Sequence, residues 1–238
     1  MSDISTLLEG IVDLEIKLNE EQKKKFTEYK RLLKEWNKKI NITAITEDDD
    51  IDIKHFLDSL TPYTTGLFNG NKKIIDIGTG GGFPGLPLKI LNPQLHVTLL
   101  DSLNKRIIFL NEVISLLDLM EIEAIHGRAE ELGRTEDHRG IYDIVISRAV
   151  ASLNTLSEYC IPFVKVGGYF ISMKGSDVYD EIKDAEKGIK ILGGNIIKKE
   201  IITLPKSDIV HSLIIIEKIK ETPTKYPRAG GKPKKNPL

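Results

Sequence analysis

Residues 74–87 read IIDIGTGGGFPGLP, and this stretch decides the fold. A short apolar run, KKIIDIG, has strand character and ends in glycines, and PGLPLKIL after it has helix character, with Pro84 in the first turn where a missing N–H costs nothing. The turn between them carries Gly78, Gly80, Gly81 and Gly82, which tolerate positive φ and admit a ligand close to the backbone. The N–H groups and positive dipole end of the helix point at the same place, so a polar or anionic part of a nucleotide-like ligand is expected there. Asp76, just before the turn, can accept a hydrogen bond from a ligand ammonium or from loop amides.

Alternating strands and helices continue outward from this turn. QLHVTLLD forms a second strand ending at Asp101, NKRIIFLNEVISLLDL an amphipathic helix, EIEAIHG a third strand and YDIVISRA a fourth. A helix around Cys160, the strand GGYFISMKG and a helix over 177–192 follow. NIIKKEIITL and HSLIIIEKI are two closing strands, too near in sequence for a crossover helix, so they pair antiparallel. The expected fold is α/β and Rossmann-like: a mostly parallel seven-stranded sheet with an antiparallel terminal pair, the reversed strand at its edge.

In an open α/β sheet, Asp101 then lies at the lip of the crevice reached by the glycine turn, with Ser102 beside it, placed to accept from two ribose hydroxyls. A dinucleotide fingerprint wants a small residue at the sixth position counted from Gly78, but Phe83 stands there. The spacing from Asp76 to Gly82 suits S-adenosylmethionine, which has no phosphate to cradle. Phe83 lines the cofactor pocket or is a core aromatic; a NAD-dependent dehydrogenase is the alternative on the loop alone.

The first 68 residues read as a helical extension. Phe26, Tyr29, Leu33, Trp36 and Ile40 follow a 3.6-residue period, with Lys23, Lys24, Lys25, Lys30, Lys34 and Lys38 mostly on the other side, expected to be solvated. His55 and Asp58 in IKHFLDSL are three apart, a functional pair or ordinary helix-surface contacts. Three segments result: 1–68 helical, 69–220 cofactor-binding and 221–238 a basic tail.

Composition supports a folded, non-membrane protein. Apolar residues make 40% of 238 and charged ones 29%. The longest apolar runs fall far below the ~18–20 residues that span a bilayer, and Asp3 and Glu9 stand where a signal peptide needs a basic start, so a cytoplasmic protein is expected. The single cysteine, Cys160, reads as a buried structural thiol, and no metal site is expected. The net charge of −1 hides an asymmetry: 225–238, KYPRAGGKPKKNPL, carries +5, which leaves −6 on the other 224 residues. Such a tail is a basic arm toward an anionic partner, or a solvated terminus.

WNKKINITAIT, IKHFLDSL, IDIGTGGGFPGLPLKI, LLDSLNKRIIFL, HGRAEEL, YDIVISRAVA and KYPRAGGKPKKNPL, in that order, resemble the RsmG (GidB) family of bacterial small-subunit ribosomal RNA guanine-N7 methyltransferases, from about residue 30 to the C-terminus. The resemblance implies S-adenosylmethionine as cofactor, one guanine of the 530 loop of 16S ribosomal RNA as substrate, and cofactor contacts at Gly78, Phe83, Ala129, Glu130 and Arg148. Ala229 departs from the Lys often found there.

Residue chemistry agrees with the resemblance. Ala129 and Glu130, after the third strand, can read an adenine edge or simply begin a helix. Arg148, after the fourth strand, replaces the Asn- or Asp-Pro-Pro-aromatic motif of many amino-group methyltransferases with Ser147-Arg148-Ala149-Val150. Guanine N7 offers an unprotonated lone pair, so no acid–base pair is expected, and catalysis reduces to positioning. Arg148 is suited to the cofactor's carboxylate, to the guanine O6/N7 edge, or to a structural ion pair. Phosphate contacts are expected from the Lys-rich N-terminal helix, Lys174, Lys225, Arg228, Lys232, Lys234 and Lys235, with a monomer bound to the small ribosomal subunit or its RNA. The alternatives are a non-catalytic assembly factor with a retained pocket and a small-molecule methyltransferase.

Overall fold

A computed structural model describes residues 3–148 and 151–238. Ala149 and Val150 of the fourth-strand motif lie outside the described residues. The chain begins with α1 (Ser5–Asp13) and α2 (Glu20–Ile40). A continuous helical run follows, made of α3 (Asp48–Ile51), a π-helical stretch (Asp52–Leu57) and α4 (Asp58–Leu60). The alternating part comprises β1 (Lys73–Ile77), α5 (Gly85–Leu91), β2 (His96–Asp101), α6 (Asn104–Leu116), β3 (Ile122–His126), α7 (Ala129–Leu132) and β4 (Tyr142–Arg148). It continues through α8 (Leu153–Cys160), β5 (Val164–Lys174), α9 (Tyr179–Leu192), β6 (Gly194–Thr203), β7 (Val210–Lys218) and α10 (Lys232–Lys235).

The seven strands form one sheet in the order β3-β2-β1-β4-β5-β7-β6. The pairs from β3 through β5 are parallel, and β7 runs antiparallel to both β5 and β6. The expected antiparallel pair is therefore present, with one correction: the reversed strand β7 sits inside, and β6 forms the edge. Burial explains the order. Leu213 to Ile216 of β7 are at most 3% exposed, whereas β6 alternates and carries the charged Lys198, Lys199 and Glu200, suited to an edge.

Each sheet face covers its own core. On one face, Ile74, Val97, Leu99, Ile144 and Ile146 pack with Phe26, Tyr29 and Leu33 of α2 and with residues of α5 and α6. The other face packs Ile75, Val145 and Phe170 against α8 and α9, with Cys160 fully buried among them as expected. The apolar stripe of α2 thus closes over the sheet, and Gln22 Nε2 donates to the last carbonyls of α5, Ile90 O at 3.1 Å and Leu91 O at 2.8 Å.

Two charge readings are corrected. Lys30 is not on a solvated face: it is fully buried, with Nζ 2.9 Å from Asp52 Oδ1 and donating also to Asp3 O. The tail is not a free arm. Arg139 donates to Tyr226 O at 2.8 Å and Thr222 O at 2.7 Å, Arg134 donates to Pro227 O at 2.7 Å, and Tyr226 and Pro233 are buried. No helix among the described residues is long and apolar enough to cross a membrane.

Candidate cofactor cleft

The order of the sheet reverses between β1 and β4, and the crevice at the C-terminal ends of such strands is where open α/β sheets bind ligands. A cleft of about 400 Å³ opens there, bounded by Gly78, Gly80, Phe83, Asp101, Ser102 and Arg148. The expected cofactor residues that meet at this cleft are these six.

The loop is tied down by backbone bonds. Gly78 and Thr79 donate to Leu100 O at 2.8 and 3.1 Å, and Gly82 and Phe83 both donate to Thr79 O at 2.9 Å. Gly80 has φ +61° and nothing within 4 Å of where a Cβ would stand, so its backbone is open to the cleft. Gly82, at φ +99°, differs: a Cβ there would lie 2.3 Å from Leu86 Cδ1 and 2.7 Å from the Tyr29 hydroxyl, so this glycine faces the core, not a ligand. Tyr29 also donates to Gly81 O, which locks α2 onto the loop.

Asp76 likewise turns inward. Fully buried, it accepts from Thr79 Oγ1 at 2.7 Å and Gly85 N at 2.8 Å, the loop-amide alternative, and it does not reach the cleft. Burial pushes its carboxyl up to about 6 against those two bonds. Because Asp76 takes Gly85 N and Gly82 O takes Leu86 N, the first amides of α5 are already used. Pro84 is the residue before the helix rather than inside its first turn. This N-terminus does not cradle a phosphate, which disfavours a dinucleotide and fits a cofactor without one.

Asp101 is 3% exposed and held by three donors, Gly80 N at 2.9 Å, Leu103 N at 2.9 Å and Arg106 at 3.0 Å. Arg106, missed from sequence because it reads as one more polar residue of α6, lines the cleft, and its Nε is buried without a hydrogen-bond partner among the described residues. Ala129 and Glu130 do not line this cavity. They begin α7 just past His126, which pairs with Asp101, further along the same sheet edge.

The opposite wall is a network. Arg148 donates to Asp58 Oδ2 at 2.7 Å, Lys54 O at 3.0 Å and His55 Nδ1 at 3.2 Å, and its guanidinium carbon stands 5.3 Å from the Phe83 ring centroid. The His55 ring stacks on Phe83, with centroids 4.3 Å apart and planes 6° off parallel. Phe83 is therefore both pocket wall and core aromatic, at 5% exposure. Since Nδ1 accepts from Arg148, Nε2 carries the proton and donates to Thr43 Oγ1 at 2.8 Å. Burial, reinforced by the Arg148 charge, drives the His55 imidazole down to about 3. His211 Nδ1 donates to Asp58 Oδ1 at 2.7 Å. Burial pushes the Asp58 carboxyl up, but the His211 bond and the Arg148 charge outweigh it and hold it below the usual value. The pairing of His55 with Asp58 thus runs through Arg148, 90 and more residues away in sequence, where helix spacing gives no hint of it.

The expected phosphate contacts divide. Arg228 is corrected: its guanidinium grips the buried Glu158, with Nη2 2.6 Å from Oε2 and Nε 2.9 Å from Oε1. Lys174 is corrected too, with Nζ 2.8 Å from Glu181 and bonded to Ala151 O. Lys225, Lys232, Lys234 and Lys235 are exposed. No cluster of His, Cys, Asp and Glu among the described residues could hold a metal ion.

Gly80, open to the cleft, and the Asp101 carboxylate beside it fit the sugar end of S-adenosylmethionine. Replacing Asp101 with Asn should weaken S-adenosylmethionine binding about tenfold or more in calorimetry, since it removes a charged acceptor. Unchanged affinity would remove Asp101 from the cofactor site.

Comparisons with known proteins agree with this geometry. Among solved structures, M. jannaschii TYW2 in complex with AdoMet matches with a TM-score of 0.53 at 17% identity, covering 68% of this chain and 77% of that one. The 16S rRNA (adenine(1408)-N(1))-methyltransferase of Catenulisporales acidiphilia, with cosubstrate SAM, matches with a TM-score of 0.52 at 12% identity, covering 68% and 92%. At these identities the likeness concerns the fold. Two proteins named ribosomal RNA small subunit methyltransferase G lie much nearer: that of Alkaliphilus oremlandii is 52% identical over 98% of this chain and 97% of its own length, and that of Acetivibrio thermocellus 53% identical over 98% and 95%. The family model described as GidB, rRNA small subunit methyltransferase G, matches residues 22–207. A chain that carries this fold, a cleft suited to S-adenosylmethionine and this degree of identity across its length belongs to the GidB family of ribosomal RNA small subunit methyltransferases.

Proposed function

We propose that the protein transfers the methyl group of S-adenosylmethionine to N7 of one guanine in the 530 loop of 16S ribosomal RNA. The observation that carries this reading is the cleft itself, with the glycine loop and Asp101 on one side and the Arg148–His55–Phe83 wall on the other. When bound, S-adenosylmethionine supplies an electrophilic methyl group on a sulfonium. The chain supplies position. Asp101, oriented by the Gly80 amide, holds the sugar end, Phe83 and His55 form a flat wall, and Arg148, clamped by Asp58, offers its remaining N–H edge to a carboxylate or to guanine O6.

Among the described residues of that wall, each titratable group is engaged. His55 uses Nδ1 as acceptor and Nε2 as donor, and both Asp58 oxygens are bonded. Such a wall is poorly suited to taking a proton, and a ring nitrogen with a free lone pair needs none taken. In-line positioning is worth ~7–11 kcal/mol in favourable cases. We read the protein as a monomer acting on ribosomal RNA, a substrate in keeping with a cytoplasmic enzyme.

The test is digestion of small-subunit RNA after incubation with and without the protein, and mass spectrometry for 7-methylguanosine. A single new 7-methylguanosine in the 530-loop fragment is expected, and its absence from bare and assembled RNA alike would sink the reading. RNA affinity should also fall with salt, and neutralising each of Lys225, Lys232, Lys234 and Lys235 should flatten the log–log slope by about 0.7 if it meets a phosphate.

A further inference from the structure

Behind Arg148 lies a second hollow of about 370 Å³, which shares Arg148 and His55 with the cofactor cleft. Its walls are mostly apolar, from Ile45, Ile209 and Met173, and besides the shared Arg148 and His55 its polar residues are Asp58, His211, Lys54 and Lys174. We propose that this hollow receives the target guanine, its ring faces against Ile45, Ile209 and Met173 and its Watson–Crick edge toward His211. The assignment rests on the methylation reading above and deepens it by placing the base.

Three observations converge. First, a base must leave its stack to present one ring atom to a methyl donor, and a flipped base needs a pocket with apolar walls beside the cofactor. The hollow adjoins the cofactor cleft across two side chains, Arg148 and His55. Second, N7 and O6 share one edge of guanine, so a base that offers N7 to the cofactor cleft turns N1–H and the N2 amine away from it. Third, the residue on the far side is His211, whose orientation is fixed. Asp58 takes its Nδ1–H at 2.7 Å, and no bond to Nε2 is made among the described residues. In the neutral ring Nε2 is an acceptor, which matches the N1–H or N2–H donors of guanine and meets a lone pair at N1 of adenine. Asp58 then has two tasks: it aims Arg148 at the join of the cavities and His211 into the second of them.

The experiment uses the full chain with small-subunit RNA transcribed in vitro, bare and assembled into subunits. Ile209→Trp and Ile45→Trp, both at half-buried positions, fill the hollow from two sides. In each, S-adenosylmethionine affinity and melting should stay within about twofold and a few degrees of wild type, while 7-methylguanosine formation falls about 100-fold. His211→Gln should lower kcat/KM about tenfold, the value of one base-edge contact. A tryptophan variant that melts normally and methylates at the wild-type rate overturns the proposal. So does one that loses cofactor binding in step with methylation, for the hollow then belongs to the cofactor. Should both melt early, His211→Gln decides alone, because its ring is 29% exposed: a tenfold loss supports the pocket and full activity overturns it. A wild-type protein that makes no 7-methylguanosine would instead strike the methylation reading.

Discussion

Arg148→Ala should lower methylation by about two orders of magnitude and destabilise the fold by about 3–5 kcal/mol, the usual consequence of leaving a buried charge unpaired. The stranded group is Asp58, whose side chain is 2% exposed and which would retain only His211. His55 would also lose the donor to Nδ1. Thermal or urea denaturation measures the first effect, and 7-methylguanosine formation the second. Asp58→Leu combined with Arg148→Met removes both charges and should recover part of the stability without recovering activity. If Arg148→Ala retained normal turnover, the residue would be a structural ion pair and nothing more.

The same wall sets a pH dependence. His55 titrates at about 3 in the folded chain against an ordinary 6.5, so the unfolded chain takes up the proton first and stability falls as pH drops from about 6.5 toward 3. Asp76 has the opposite sign: with its carboxyl raised to about 6 from 3.8, its contribution declines as pH rises through that interval. The His55 interval is wider, so net acid sensitivity is expected from this pair. Because the Arg148 charge is the second cause of the His55 shift, Arg148→Ala should move the His55 titration upward in an NMR experiment.

These partners explain what sequence could and could not disclose. The glycine turn, Asp101 and the closing antiparallel strands were legible because their signals are local: glycines after an apolar run, an acid at a strand end, two strands too close for a crossover. The location of the reversed strand was not, since which of two neighbouring strands sits inside depends on total burial. Lys30 looked like the other lysines of α2, and only the fold places Asp52 beneath it. Asp76 and Gly82 belong to the motif yet serve the loop and the core, because a fingerprint records what the turn needs together with what the ligand needs. Arg106 and Thr43 left no pattern at all: Arg106 reaches the cleft from a helix whose periodicity reports only its apolar side, and Thr43 from the loop between α2 and α3, which has no periodicity.

Removing 225–238 should do more than weaken RNA binding. A basic tail read from composition is an arm, but Glu158, wholly buried in α8, has no ion-pair partner among the described residues except Arg228, whose backbone N–H also bonds it at 2.7 Å. Thr155 Oγ1 donates to Pro233 O at 3.2 Å and Leu238 packs on Gly188, so the tail continues across α8 and α9. Truncation therefore opens the second core and strands a carboxylate, and Arg228→Ala alone should cost about 3–5 kcal/mol. Replacing Lys225, Lys232, Lys234 and Lys235 with Ala should by contrast change stability by no more than about 0.5 kcal/mol each. α10 lies against the first turn of α8, the end of that helix nearest the C-terminal edge of β4 and hence the cleft. Loss of RNA affinity in the quadruple lysine variant, with melting unchanged, would assign RNA contact to the exposed lysines and latching to Arg228. Equal melting of the truncated and full-length chains would show that Glu158 does not hold the tail.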